Sequence, residues 1–143
     1  MIELSPYIIA PVAGWVVAQI LKYVLQSIKG RGFKNLRQLY LSGSMPSAHS
    51  ATVMALLIVI GFKDGFGSAV FGLALLFASV VMYDAMMVRR SSGEQGQALT
   101  ALIKEQKSKV AVPRVAKGHT PFEVLGGAVV GVLIGIAVCF AIL

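Results

Sequence analysis

The residues able to do chemistry fall into three polar clusters within an otherwise apolar chain. Two contain a histidine: Gly43-Ser44-Met45-Pro46-Ser47-Ala48-His49-Ser50 and Lys117-Gly118-His119-Thr120-Pro121-Phe122-Glu123. The third runs from Tyr83-Asp84 to Arg89-Arg90. Glu123 follows His119 by one helical turn, a spacing at which a carboxylate can orient one ring nitrogen. The other nitrogen is then free to attack phosphorus and form a phosphohistidine, which splits a displacement into two steps. His49 suits the acid that protonates the departing oxygen and then the base that activates water. Ser47 and the backbone N–H groups beside it suit the charge that develops on phosphoryl oxygens, with Ser44 in support. Pro46 and Pro121 each fit the first turn of a helix, so both histidine clusters are expected to open helices, whose N-termini attract anions. Arg89 and Arg90 bring two guanidinium forks to the same place. This route needs no metal and no other cofactor, and the lack of clustered carboxylates in these segments fits a two-metal phosphatase poorly.

Each of these residues also has a structural use. Thr120 and Glu123 match a helix capping box. Asp84 can neutralise Arg89, and the two arginines can act as anchors at a membrane border. Lys22 lies inside an apolar run, where it either snorkels or, with Trp15, Gln19 and Gln26 at helical spacing, forms a polar stripe that binds phosphate. Ser42 and Ser50 read as caps or helix contacts.

The elements that must position these groups are set by composition. Of 143 residues 57% are hydrophobic and 13% charged, with a mean hydropathy of +0.79, which excludes a disordered chain and disfavours a water-soluble globule. The reading is an all-α polytopic bundle of about four spans in one domain, with apolar runs near 6–28, 47–62, 66–88 and 121–143. Lys63-Asp64-Gly65 provides the turn of a tight hairpin. Basic residues gather in the connections 29–46 and 89–120, while the other side holds only Glu3 and the Lys63/Asp64 pair. The charge of +7 therefore points to an anionic membrane surface rather than to nucleic acid, with both termini outside and the polar clusters at the cytoplasmic face. Within the second connection Ala98, Leu99, Leu102 and Ile103 share a helical face, suited to the membrane surface or to packing on the spans. Gly127, Gly131 and Gly135 recur every fourth residue, a smooth strip for helix contact within the chain or across a homodimer. The single cysteine, Cys139, excludes an intramolecular disulfide.

Taken together, Ala18-Gln19 with Lys22, Gly43 to Ala51, Tyr83-Asp84-Ala85 with Val88-Arg89-Arg90, Gly93 and Gln95, and Gly118 to Val124 resemble the type 2 phosphatidic acid phosphatase and vanadium haloperoxidase superfamily, in its small divergent bacterial and plant branch. The resemblance implies that Pro46-Ser47-Ala48-His49 supplies phosphate contacts and the acid histidine, and that His119 and Glu123 are the nucleophile and its orienting carboxylate. It also implies phosphate contacts from Lys22, Arg89 or Arg90, and Arg114. Arg114 stands one residue closer to His119 than the superfamily's arginine, whose place holds Pro113, and Met87 replaces a glycine. The implied activity is hydrolysis of a lipid phosphate or polyprenyl diphosphate in a bacterial inner membrane. A protein that binds or translocates lipid phosphate without turnover, or a structural subunit, is the alternative.

Overall fold

A computed structural model of the chain describes residues 5–28, 45–113, 115 and 118–142. Among them there is no strand. The helices are α1 (Pro6–Gln26), α2 (Ala48–Asp64), α3 (Ala69–Tyr83), a π-helical turn (Asp84–Val88), α4 (Arg89–Glu105) and α5 (Pro121–Ile142). Three are long and apolar enough to cross a membrane: α1, α5 and the continuous Ala69–Glu105. The fold is an all-α membrane bundle. Helix α2 has 17 residues, about 25 Å at 1.5 Å per residue, and it is the centre of the arrangement, packed against α1, α3 and α5.

Small residues make that centre. Ala51 and Ala55 are fully buried on α2, and α1 and α5 bring glycine against them. A Cβ on Gly14 would meet the Ala51 carbonyl at 2.9 Å, and side chains at Gly127 and Gly131 would collide with the carbonyls of Ser47 and Ala51. Gly135 meets Ile58 and Ala55 in the same way. Backbones this close gain dispersion contacts that bulkier residues prevent, the means by which helices associate where lipid removes the hydrophobic drive. The glycine strip is thus filled by α2 of its own chain, the first of the two contacts expected for it.

At one end of the bundle α2 stops at Gly65 (φ 92°), and Ser68 caps α3 by accepting the Phe71 N–H at 3.1 Å, completing the expected hairpin. The Tyr7 hydroxyl lies 2.7 Å from both Asp64 carboxylate oxygens, so the start of α1 is tied to the end of α2. At the other end, α4 continues α3 through the π turn. The segment after α4 returns along it, with Val115 over Gly96 and Gly118 against the Arg90 backbone. Of the expected apolar face of α4, Ile103 is buried while Leu99 and Leu102 are exposed, an apolar surface of the kind a membrane interface takes.

Candidate active site

Two backbone hydrogen bonds gather the polar clusters at one end of the bundle. The Ser47 N–H donates to the Glu123 carbonyl at 2.9 Å, joining the starts of α2 and α5, and the His119 N–H donates to the Ala85 carbonyl at 3.0 Å, joining α5 to the end of α3. The second bond depends on the π turn. In an α-helix the Arg89 N–H would take the Ala85 carbonyl four residues back. Here it bonds Asp84, and the displaced carbonyl is left to hold the histidine backbone. Gly118 completes the seat, since any side chain there would strike Arg90.

The His119 ring is buried, 6% exposed, and its Nδ1 lies 3.2 Å from Glu123 Oε2. The same oxygen accepts the Thr120 N–H at 2.9 Å, and the Glu123 N–H donates to Thr120 Oγ1 at 3.3 Å. The capping box and the orienting carboxylate are therefore one device: the cap holds Glu123 in the rotamer that reaches the ring. With a carboxylate as acceptor Nδ1 is the donor, an assignment made from the hydrogen-bond pattern, and Nε2 carries the lone pair. Burial lowers the imidazole pKa below its ordinary 6.5, and the hydrogen bond and charge of Glu123 oppose that shift. A ring neutral at pH 7 with one nitrogen anchored is the form a nucleophile requires.

Around this pair the structure brings Lys22, His49, Asp84 and Arg89. The charges of Lys22 and His49 act on His119, Glu123 acts on Lys22, and Arg89, Lys22 and Asp84 act on His49. Lys22 is buried, 6% exposed, at the foot of a line formed by Ala10, Gly14 and Ala18. The expected stripe through Trp15 is corrected, because Trp15 is 47% exposed and the inward line follows the small residues that let α1 approach α2. Arg89 is bound by Asp84, Nε to Oδ2 at 2.6 Å, as the neutralising reading expects.

Other residues are engaged differently. Arg90 pairs with Glu94, Nε to Oε1 at 3.2 Å, and lines a groove whose walls include neither histidine. Ser47 is fully buried; its Oγ accepts the Ser50 N–H at 3.4 Å and shares a 3.0 Å hydrogen bond with the Ser50 hydroxyl. It is the N-cap of α2, and Pro46 precedes that cap rather than occupying the first turn as expected. Ser44, Arg114, Lys117 and the basic residues of 29–44 lie outside the described residues. Sequence reasoning missed the π turn and the part played by Gly118; a glycine directly before a histidine was the one available sign. It also missed the Gln19 Oε1 atom, the buried side-chain polar atom that has no hydrogen-bond partner among the described residues.

No group of three or more His, Cys, Asp or Glu is arranged to hold a metal among the described residues. The arrangement does contain an oriented imidazole, a second imidazole, a buried ammonium, a guanidinium and two helix N-termini, a set suited to an oxyanion such as phosphate.

Comparison with known proteins agrees in kind. The chain is 28% identical over 148 residues to the uncharacterized membrane protein YuiD of Bacillus subtilis (strain 168), covering 93% of each protein. No solved structure matches it. The profile of the Divergent PAP2 family matches residues 4–134, and the chain belongs to that family.

Proposed function

We propose that this protein is a phosphatase that hydrolyses a lipid phosphate or polyprenyl diphosphate at the membrane surface through a phosphohistidine. The observation that carries the reading is the buried His119 ring held at Nδ1 by Glu123, 3.2 Å away, within the field of a second histidine and a buried lysine. Nε2 of His119 attacks phosphorus; the N–P bond forms as the P–O bond to the leaving group breaks, and His49 delivers a proton to the departing oxygen. In the second step His49 takes a proton from water, whose oxygen attacks phosphorus, and the N–P bond breaks to release inorganic phosphate and restore the imidazole. Lys22, Arg89 and the first-turn N–H groups of α2 bind the non-bridging oxygens.

Two observations support a lipid substrate: the chain is an integral membrane protein, and the cluster lies at the ends of its apolar helices. The distribution of basic residues favours a cytoplasmic site with both termini outside; a reporter fused within 106–112 that is active only outside the cytoplasm would refute that orientation. The activity itself is tested with detergent-purified protein and a panel of lipid phosphates and diphosphates in the presence of chelator. Release that requires both His119 and His49, is blocked by vanadate and leaves an acid-labile phosphoprotein intermediate is the expected result. Folded protein that binds these lipids but releases no phosphate from any of them overturns it in favour of binding without turnover.

A further inference from the structure

Outside the histidine cluster, a groove of about 520 Å³ opens between the end of α3, the π turn, the start of α4 and Pro121. Its residues are segregated. Tyr83, Met86 and Met87 form an apolar half together with Pro121, and Arg90, Ser91 and Glu94 form a polar half. Spaced three or four apart, they make one continuous stripe along the helix. From Ala69 to Arg90 the helix rises about 32 Å, close to the thickness of a hydrocarbon core. Tyr83 and Met87, each more than half exposed, therefore lie at the depth of lipid chains, and Arg90 at the depth of headgroups.

The polar half has a composition that selects. Arg90 donates Nε to Glu94 Oε1 at 3.2 Å, its one side-chain hydrogen bond among the described residues, so its remaining N–H donors are available. Ser91 Oγ accepts from Gln95 at 3.3 Å and keeps its own proton to donate. Glu94 offers a second carboxylate oxygen. One cation, one hydroxyl donor and one anion sum to zero: an anionic headgroup would face Glu94, and a cationic one would face Arg90. A headgroup carrying a phosphate and an ammonium satisfies both.

We infer that this groove is a binding site for a zwitterionic aminophospholipid, with its chain along Tyr83, Met86 and Met87, its phosphate on Arg90 and Ser91, and its ammonium on Glu94. Neither histidine, nor Lys22, Arg89 or Glu123, lines the groove, and the inference does not rest on the proposed phosphatase activity.

The test uses the full chain in detergent with phosphatidylethanolamine bearing a photoactivatable group in its chain, followed by peptide mapping. Crosslinks should concentrate on residues 83–87, and unlabelled phosphatidylethanolamine should compete at about tenfold lower concentration than phosphatidylglycerol. Glu94→Gln should abolish that preference while labelling persists, and Met87→Trp, which fills the groove, should reduce labelling severalfold in protein of unchanged thermal midpoint. His119→Ala should label as strongly as the parent. Crosslinks spread evenly along α3, equal competition by phosphatidylglycerol, or labelling lost with His119 would each overturn the inference.

Discussion

The two halves of this molecule are held together by different means. In α1, α2 and α5, glycine lies directly on alanine and carbonyl oxygen, so helix separation at these points is set by backbone contact, with Val59, Val138 and Cys139 buried beside them. In Ala69–Glu105, the membrane-crossing half has α2 as its principal helix partner, and Leu73, Leu76, Phe77 and Val80 stand more than half exposed toward what must be lipid. Lys22, His49 and Glu123 ride on the first unit; the second contributes Arg89 with its partner Asp84, and the carbonyl of Ala85. The difference teaches where precision is stored. Backbone contact admits few alternative arrangements, because a glycine offers no rotamer to change, whereas a helix with one packed face can shift. The π turn is the place where the looser half is fastened to the tighter one.

The heaviest test of that division is to compare the two halves at the reacting groups. His119→Ala should lower phosphate release by at least about 10³-fold, and Arg89→Ala far less, since general acid–base and nucleophilic groups contribute on the order of 10²–10⁴-fold while an exposed, already paired arginine contributes less. Equal losses would place the chemistry on both halves.

Next is the fastening itself. Gly118→Ala should cost roughly 10²-fold in turnover and also lower the thermal midpoint, because the added methyl strikes the Arg90 backbone, which must shift and displace His119. Unchanged turnover would show that the Ala85 carbonyl does not set the position of the ring.

The packing contrast comes third. Gly131→Leu should destabilise by about 1–3 kcal/mol or more through overpacking, whereas Leu76→Ala on α3 should fall within about 0.5 kcal/mol; thermal unfolding in detergent reads both.

A smaller effect concerns pH. Burial holds the folded-state pKa of His119 below 6.5, so the nucleophile is neutral and the acid limb of the rate profile should lie below that value. Glu123 raises this pKa, so Glu123→Gln should move the limb to still lower pH while reducing the rate; a limb that moves upward would contradict the assigned contact. By linkage, the stability that comes from keeping the ring neutral is complete above 6.5 and is lost as pH falls toward the folded-state value.

Smallest is Gly72→Ala on α3. A Cβ there meets nothing within 4 Å, and the residue is in a helix interior, so a gain of about 0.5–1 kcal/mol is expected. A loss would mean that α3 is covered on a face the structure leaves open.

Much of this was legible without coordinates, for reasons that are local. A run of apolar residues must become a helix in lipid because its own backbone groups have no other partners there, so the helical class and the polar ends of the apolar runs followed from composition. The pairing of His119 with Glu123 and the box between Thr120 and Glu123 span one helical turn, and a single helix start determines both. Asp84 with Arg89 is equally local. The glycine repeat showed that a close contact must exist.

What the sequence by itself determined, then, is everything settled within about one turn of helix or by the solvent the chain requires. The tertiary structure decided what joins distant segments. It chose α2 as the partner of the glycine strip, because Ala51 and Ala55 present bare backbone at the matching spacing. It turned Lys22 inward and Trp15 outward, since the line that packs is the line of smallest residues. It separated Arg90 from Arg89, adjacent in sequence but about a hundred degrees apart around a helix, and it released the Ala85 carbonyl through a π turn that no local preference announces. These outcomes depend on which surfaces fit across space: a repeat such as that of the glycines announces a contact, but which distant segment fills it is decided only when both surfaces meet.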